Sequence, residues 1–298
     1  MMAAAPVRLE YDALPAVVPS YVRAATTLSG GLSGDQTIPE IVAELPSLQV
    51  SQDALTSYRE VCCFADSKHL PVTYPHVLAF PMHMAVMTHK QFPLKLLGLI
   101  HVRNQITQHR AIGQDETLRL EVRVGGHRET SKGVEFDLTT RVHDSQNQRV
   151  WEEIGTMLSR QKTSQASDDK GNSKKTQHDE MRFKGEHSSD WQIPADIGRR
   201  YARAAGDYNP IHLSPYTAKL FGFPRAIATG MWTKARAAAQ LTPQLEQDAY
   251  TLSLAFKKPI FLPSKARFDY SLSDSGAEFA LTNIPGDVLH LSGDVRYI

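Results

Sequence analysis

A polar stretch without a bulky apolar residue divides the chain near its middle. It reads SQASDDKGNSKKTQHDE over residues 164–180. Such a segment cannot bury enough apolar surface to offset the entropy that it would lose on ordering. The chain has 298 residues, and a domain typically has about 150. The sequence therefore predicts a domain over residues 1–162, a flexible linker over residues 163–185 and a second domain over residues 186–298.

Each half combines helical segments with segments that have strand periodicity. Apolar and polar residues alternate over 118–124, 134–138, 252–256 and 268–272. A period of two is typical of a strand that buries one face. Segments 54–64 and 197–205 have the apolar spacing of helices instead. Because strands gather after helices in each half, the sequence predicts an α+β fold rather than alternating βαβ units.

The second half contains a dense run of turn-forming residues. It reads YARAAGDYNPIHLSPYTAKLFGFPRAIATGM over residues 201–231. Gly206 permits a positive φ, while a proline fixes its own φ and disfavours helix at the preceding residue. The sequence therefore predicts a helix that ends at Gly206. It predicts a second helix that begins near Ser214-Pro215, with serine as its cap and proline in its first turn.

This run resembles the signature of the MaoC-like hydratases, the (R)-specific enoyl-CoA hydratase or hydratase 2 family. The residues in register with the family pattern are Ala205, Gly206, Asp207, Asn209, Pro210, Ile211, His212, Ala218, Gly222, Phe223, Ile227, Ala228, Gly230 and Met231. The resemblance implies a double hot-dog fold, in which two antiparallel sheets each wrap a central helix. The family's histidine and proline are replaced here by Thr229 and Ala226. We expect Thr229 to cap the central helix of the second half.

The resemblance also implies a role for each residue of the site. Asp207 and His212 would contact one water molecule and act as an acid/base pair, and which of them takes the water proton stays open. The backbone N–H of Gly230, at the start of the central helix, would bind the thioester oxygen as it gains negative charge. Asn209 would orient the pair or close the turn. The resemblance implies no cofactor.

The first half is similar to the second but lacks part of this pattern. Counting from Tyr58, a histidine and a phenylalanine follow after 11 and 22 residues, and the same offsets hold when counting from Tyr201. This repetition indicates a diverged duplication. The position that matches Asp207 is Phe64, however, and no Asn-Pro pair precedes His69. We therefore expect one working site, in the second half.

A first half without catalysis is free to accommodate an acyl chain. Phe80, Met84 and Met87 are the candidate lining residues, although plain core packing accounts for them equally well. The phosphates of a coenzyme A or carrier-protein arm require basic groups at the mouth of the site. The candidates for that role are Arg225, Lys257 and Lys258.

The leading interpretation is an (R)-specific 2-enoyl-CoA hydratase, equivalently a 3-hydroxyacyl-thioester dehydratase, which is a hydro-lyase. In the closest alternative, the chain is a dehydratase whose 3-hydroxyacyl substrate is bound to an acyl-carrier protein of a fatty-acid or polyketide pathway. An alternative of another class is a non-catalytic acyl-thioester binding module or a hot-dog thioesterase. The Asp207/His212 pair argues against a binding module, and the match through Gly230 argues against a thioesterase. No His-Glu-x-x-His pattern or cysteine/histidine quartet occurs, so the sequence predicts no metal site.

Composition and charge limit the partners of the chain. The net charge of +1 does not favour a nucleic-acid surface. No run approaches the roughly 20 apolar residues of a membrane span. The N-terminus lacks a signal-peptide pattern, and the adjacent Cys62 and Cys63 suit neither a disulfide nor zinc, so we expect a cytoplasmic protein. A double hot-dog can act alone or pair with a second copy, and a homodimer therefore remains an open prediction.

Overall fold

The computed structural model describes residues 5–27, 30–32, 36–161 and 183–298. Residues 163–182 of the predicted linker lie outside the described residues, and the predicted domain boundaries therefore stay predictions. The elements of the first half are β1 (Val7–Glu10), α1 (Val17–Thr26), β2 (Ile41–Leu48), α2 (Gln52–Cys62), α3 (Tyr74–Met87), β3 (Ile100–Gln108), β4 (Leu118–Val124), β5 (Arg128–Thr130), β6 (Gly133–His143) and β7 (Arg149–Ser159).

The second half repeats this arrangement with more helices ahead of its central helix. Its elements are β8 (His187–Ile193), α4 (Ile197–Ala205), α5 (Pro210–Leu213), α6 (Pro215–Lys219), α7 (Gly230–Leu241), a 3₁₀ turn (Thr242–Gln244), β9 (Tyr250–Phe256), β10 (Ser264–Ser273), β11 (Gly276–Asn283) and β12 (Leu289–Tyr297). The four segments with alternating periodicity all form strands, as predicted.

The strands of both halves form one continuous sheet. Its order is β1-β2-β4-β6-β7-β3-β9-β12-β11-β10-β8, and β5 pairs with β6 beside this path. The β1–β2 pair is parallel, and the other described pairs are antiparallel. The halves meet where β3 pairs with β9, in a register that runs from Arg103↔Ala255 to Gln108↔Tyr250. The two predicted sheets are thus joined edge to edge.

Each half of the sheet covers a central helix, α3 in the first half and α7 in the second. The sequence of α3, YPHVLAFPMHMAVM, has no charged residue apart from its histidines, and it packs on β2, β4 and β6. A helix that is apolar on all sides belongs in a core. In α7 the buried Ala235, Ala237 and Ala238 leave room for the backbone of neighbouring elements. The α+β class and the central helices agree with the prediction.

Helices α2 and α4 pack against each other and preserve part of the internal repeat. The rings of Tyr58 and Tyr201 lie 6.2 Å apart, one on each helix. Both helices end at a residue in the left-handed region, Cys63 with φ 62° and Gly206 with φ 76°. The helix predicted to end at Gly206 is therefore confirmed. No helix among the described residues is both long and apolar enough to cross a membrane.

The predicted repeat is wrong at its third position, the phenylalanine that follows the tyrosine by 22 residues. Phe80 lies inside α3, whereas Phe223 lies in the connection between α6 and α7. The two connections differ in length, because residues 63–73 lead directly from α2 into α3 while residues 206–229 also hold α5 and α6. An equal offset in sequence therefore places the two phenylalanines at different points of the fold.

Candidate active site

Helices α4, α5 and α6 bring the residues of the predicted site to the start of α7. Helix α5 lies against α4 at Gly198, where an added Cβ atom would overlap the carbonyl oxygen of His212. The Ser214 side chain accepts a hydrogen bond from the N–H of Thr217 and caps α6, as predicted. The sequence reasoning missed α5, which places His212 on a short helix rather than on an open turn.

The Asp207 carboxylate follows directly after the left-handed Gly206. Its Oδ1 accepts hydrogen bonds from the backbone N–H of Asn209 at 3.2 Å and from the hydroxyl of Tyr21 at 3.3 Å. Neither contact uses the other carboxylate oxygen, Oδ2. The Asn209 side chain accepts the N–H of Ile211 at 3.4 Å and so caps α5. Asn209 thus closes the turn with its side chain and holds Asp207 with its backbone.

The His212 imidazole is buried and has a defined tautomer. Its Nδ1 lies 2.8 Å from the carbonyl oxygen of Ile227. Because a carbonyl oxygen only accepts, Nδ1 must carry the hydrogen, and Nε2 is left with a lone pair. The N–H of Ile227 in turn donates to the carbonyl oxygen of Ile211 at 3.1 Å. These two bonds tie the histidine to the segment that leads into α7.

Helix α7 begins at Gly230, so the N–H of this residue has no acceptor within the helix. A Cβ atom at Gly230 would lie 3.0 Å from the ring of Phe256. Any residue other than glycine would therefore require that ring to shift. Thr229 occupies the cap position, but its side chain does not cap the helix. Its hydroxyl is buried and has no hydrogen-bond partner among the described residues. The predicted capping role of Thr229 is therefore wrong.

Tyr21 was missed by the sequence reasoning. It lies on α1, which is 186 residues away from Asp207 along the chain. Its phenol is partly buried between α1 and the loop after α4. No local pattern around Tyr21 indicates this contact, because the contact depends on how the first half folds onto the second.

The structure brings only part of the predicted substrate-binding set to the site. The ring of Phe80 lies 3.6 Å from the place that a Cβ atom of Gly206 would take. Met84 and Met87 are buried in α3. The Arg225 guanidinium lies 5.7 Å from the ring of Phe261, and Lys258 is exposed.

A cavity of about 730 Å³ lies at the β3–β9 junction. Arg103, Thr156, Phe183 and Ser253 are among the residues that line it. Its lining includes neither the predicted acyl-chain residues on α3 nor Asp207. This cavity therefore gives no support to the predicted acyl-chain path.

A buried polar cluster lies beside the site, mostly in the first half. His76 Nδ1 is 2.9 Å from both oxygens of Glu153, and the Asn104 amide donates to Glu153 Oε1 at 2.6 Å. His83 Nε2 is 2.7 Å from the Thr140 hydroxyl. The cluster continues to Lys234 on α7, whose ammonium donates to the Asn104 side chain, to the Asn104 carbonyl at 3.2 Å and to the Leu252 carbonyl at 3.0 Å.

Burial shifts the ionisation of these groups. It lowers the pKa of His83 to about 3 and the pKa of His101, which lies beside Asn104, to about 3. Burial alone would raise the pKa of Glu153, but the interactions with His76, His83 and Asn104 together outweigh it and lower this pKa to about 2. Burial also lowers the pKa of Lys234 to about 7, against the attraction of Glu153.

His76, His83 and Glu153 are close enough to share a metal ion, since one ligand atom from each lies within 4.8 Å of the others. Two imidazoles and a carboxylate suit a divalent transition metal. Each of the three groups already has a protein partner, and Lys234 places a fourth ionisable group in the same cluster. The cluster is therefore complete without an ion, and its contacts join α3, β3 and β7 to α7.

Comparisons with known proteins show which proteins this chain is similar to. The family model described as MaoC like domain matches residues 170–290. The chain is 32% identical to 3-hydroxyacyl-thioester dehydratase X of Mycobacterium tuberculosis over 282 residues, which is 95% of this chain and 98% of that protein. The crystal structure of that relative, HtdX, superposes with a TM-score of 0.74 at 31% identity, over 86% of this chain and all of the other.

More distant structures share the fold. A MaoC-like dehydratase from Phytophthora capsici has a TM-score of 0.65 at 16% identity, over 87% of this chain and 96% of that one. A protein from Mycobacterium tuberculosis described as having a double hot-dog fold has a TM-score of 0.53 at 13% identity, over 89% and 96% of the two chains. The double hot-dog fold predicted from the sequence is confirmed.

Proposed function

The chain belongs to the MaoC-like dehydratases, a family of hydro-lyases, and we propose that it adds water reversibly to a trans-2-enoyl thioester to give an (R)-3-hydroxyacyl thioester. One observation carries the proposal. The hydrogen bond from His212 to the Ile227 carbonyl leaves Nε2 of the imidazole as an acceptor and ties it to the segment that leads into α7. An acid/base group thus lies close to free backbone donors.

In the proposed first step, a water molecule lies between His212 Nε2 and Asp207 Oδ2. The water oxygen forms a bond to C3 of the enoyl group while one water proton passes to Nε2. The electron pair of the C2–C3 double bond moves toward the thioester, whose carbonyl oxygen becomes an enolate oxygen. The Asp207 carboxylate holds the water and stabilises the imidazolium that forms.

The enolate oxygen is bound at the start of α7. The N–H of Gly230 has no intrahelical acceptor, and a helix N-terminus favours negative charge. The buried hydroxyl of Thr229, which has no partner among the described residues, is adjacent in sequence and supplies a second donor in this proposal. In the second step the imidazolium proton passes from Nε2 to C2 and the carbonyl forms again. The sum of both steps is the addition of one water molecule.

The substrate class follows from the family and from the groups around the site. The relative that is 32% identical carries the name of a 3-hydroxyacyl-thioester dehydratase. We propose that the phosphates of the carrier arm bind Arg225, Lys257 and Lys258. The two lysines directly follow Phe256, which packs against Gly230. Basic side chains bind phosphate through charge-assisted hydrogen bonds.

The proposal is tested with purified protein and crotonyl-CoA, and then with longer enoyl-CoAs. We expect loss of the enoyl absorbance, no release of free thiol, and an (R)-3-hydroxyacyl product in chiral analysis. Release of thiol without hydration would indicate a thioesterase, and binding without turnover would indicate a binding module. Either result would contradict the proposal. Sedimentation of the same preparation tests whether two chains pair.

A further inference from the structure

The first helix of the chain contacts the proposed acid/base pair. Tyr21, on α1, donates its hydroxyl hydrogen to Asp207 Oδ1 across 3.3 Å. The N–H of Asn209 donates to the same oxygen. We propose that Tyr21 is a positioning residue that holds the Asp207 carboxylate with Oδ2 toward the reacting water. This inference rests on the proposed function, and it makes α1 of the first half a part of the catalytic unit in the second.

Helix α1 is anchored well enough to position a side chain. It packs on α3, with Ser20 and Ala24 buried. The Arg23 guanidinium donates to the Ser20 hydroxyl at 3.0 Å and to the Thr88 hydroxyl, at the end of α3, at 3.5 Å. The phenol of Tyr21 therefore approaches Asp207 from a packed helix rather than from a loop.

The two valines nearest to Tyr21 on α1 are exposed, and the contact with Asp207 distinguishes its partly buried phenol from them. Val18 and Val22, on either side of Tyr21 in the sequence, are 72% and 58% exposed. The helix thus leaves two apolar side chains in solvent while it directs a phenol toward a carboxylate. Phenylalanine at position 21 would fill the same space, so the hydroxyl is the part of the side chain that the contact requires.

The electrostatic surroundings of Asp207 make neutral donors important. Tyr21 on α1 and Tyr201 on α4 both face Asp207. Tyr208 and His212 belong to the same segment as Asp207. The charge of Glu153, on β7, acts on Tyr201. Among the described residues, no lysine or arginine forms an ion pair with Asp207. Its ionised form is therefore stabilised by the Tyr21 hydroxyl and the Asn209 amide.

Tyr21 remains a donor throughout the neutral pH range. Burial, followed by the negative charge of Asp207, raises the pKa of the Tyr21 phenol. The protonated phenol therefore keeps its hydrogen bond to Asp207 Oδ1. Loss of the hydroxyl removes one of the two described hydrogen bonds to this oxygen, and it should leave the carboxylate free to rotate.

The test is the Tyr21→Phe variant, assayed for enoyl-CoA hydration at neutral pH. We expect kcat to fall about 10-fold with KM nearly unchanged, because a hydrogen bond to a charged group is lost. Tyr216→Phe is the matched control, because Tyr216 is 82% exposed on α6 and makes no hydrogen bond with Asp207 among the described residues. That control should retain wild-type kcat and KM.

A double-mutant cycle separates positioning from simple packing. If Tyr21 acts through Asp207, adding Tyr21→Phe to Asp207→Asn lowers kcat by less than two-fold further. Full additivity of the two losses, or wild-type kcat in Tyr21→Phe, would overturn the inference. If the wild-type protein hydrates no enoyl thioester, the proposed function fails instead. The carboxyl ¹³C chemical shift of Asp207 at one neutral pH, compared between the wild type and Tyr21→Phe, still tests the contact, and equal shifts would overturn it.

Discussion

The two connections that lead into the central helices differ, and we propose that this difference separates a catalytic half from a supporting one. Both begin with a left-handed residue, Cys63 in the first half and Gly206 in the second. The next residue is Phe64 in one and Asp207 in the other. The first connection then passes directly into α3, whereas the second forms α5 and α6 before α7. The sheet and central helix are common to both, and the chemistry depends on the connection.

The histidines of the two connections have different surroundings. The side chain of His69 is exposed, whereas that of His212 is buried and bonded to Ile227. The central helices differ as well, because Pro75 lies in the first turn of α3 and has no N–H to donate. The connection of the first half thus lacks the acid and a buried imidazole, and its central helix lacks one backbone donor.

The first half contributes in other ways. Tyr21 contacts Asp207, and the ring of Phe80 lies beside Gly206. Its buried ionisable groups, His83 and Glu153 among them, bond to one another and to neighbouring side chains. We propose that the ionisable residues of the first half serve packing and positioning, while Asp207 and His212 of the second half serve the reaction.

The largest effect is expected from Asp207→Asn. The neutral amide cannot stabilise the imidazolium that forms at His212, and groups of an acid/base pair contribute about 10²- to 10⁴-fold. We expect kcat for crotonyl-CoA hydration to fall within that range while the circular dichroism spectrum and Tm stay close to wild type. A folded Asp207→Asn variant with near-normal turnover would show that the second half does not work through this carboxylate.

The next effect concerns the start of α7. Thr229→Val keeps the shape of the side chain and removes the hydroxyl, and loss of one oxyanion donor costs about 10²-fold in kcat. Thr229→Ser should recover most of that loss. Because the hydroxyl has no described partner, its removal should not lower Tm. If the valine variant retained full activity, Thr229 would have no part in binding the enolate oxygen.

Much of the second half follows from local sequence rules. The end of α4 at Gly206 and the cap of α6 at Ser214 depend on residues close by in the chain, and both were predictable. The short helix α5 was not, because it depends on the Asn209 cap and on the close approach that Gly198 permits. The prediction that Thr229 caps α7 depends on its residue type alone, and residue type does not show where a side chain points.

The contacts between the halves could not be predicted from the sequence. Tyr21 is 186 residues from Asp207, and Lys234 on α7 bonds to Asn104 on β3. The β3–β9 pairing likewise joins segments that are far apart in the chain. No short pattern encodes such pairs, since they arise only after both halves have folded.

Acid should destabilise the protein through the buried cluster of the first half. Burial lowers the pKa of His83 to about 3, below its ordinary value of 6.5. The unfolded chain therefore binds more protons between these two pH values, and stability falls as the pH decreases from 6.5. Glu153, with its pKa lowered to about 2, adds a loss of the same sign below pH 4.5.

The acid effect is measured by urea unfolding at pH 6.5 and pH 4.5. Between them, wild type should lose about 2 kcal/mol more than His83→Gln, because each pKa unit corresponds to about 1.4 kcal/mol. His69→Gln, measured in the same way, is the control, since this side chain is exposed and lies outside the buried cluster. An equal loss in wild type and His83→Gln would refute the role of this histidine.

The smallest effect tests whether α3 accommodates the acyl chain. Met84→Trp and Met87→Trp add bulk to this helix. If the acyl chain lies beside these methionines, the ratio of kcat/KM for a medium-chain enoyl-CoA to that for crotonyl-CoA should fall by a factor that corresponds to about 1 kcal/mol or more. An unchanged ratio together with a lower Tm would assign both methionines to the core, where overpacking destabilises by about 1–3 kcal/mol.

The central claim is that only the second half catalyses, and two matched histidine variants test it most directly. His212→Gln and His69→Gln make the same chemical change at the related positions of the two connections. In one enoyl-CoA hydration assay, we expect His212→Gln to lose about 10²- to 10⁴-fold in kcat and His69→Gln to stay within about two-fold of wild type. Comparable losses in both variants would mean that the first half holds a working site, and would contradict the division between a catalytic and a supporting half.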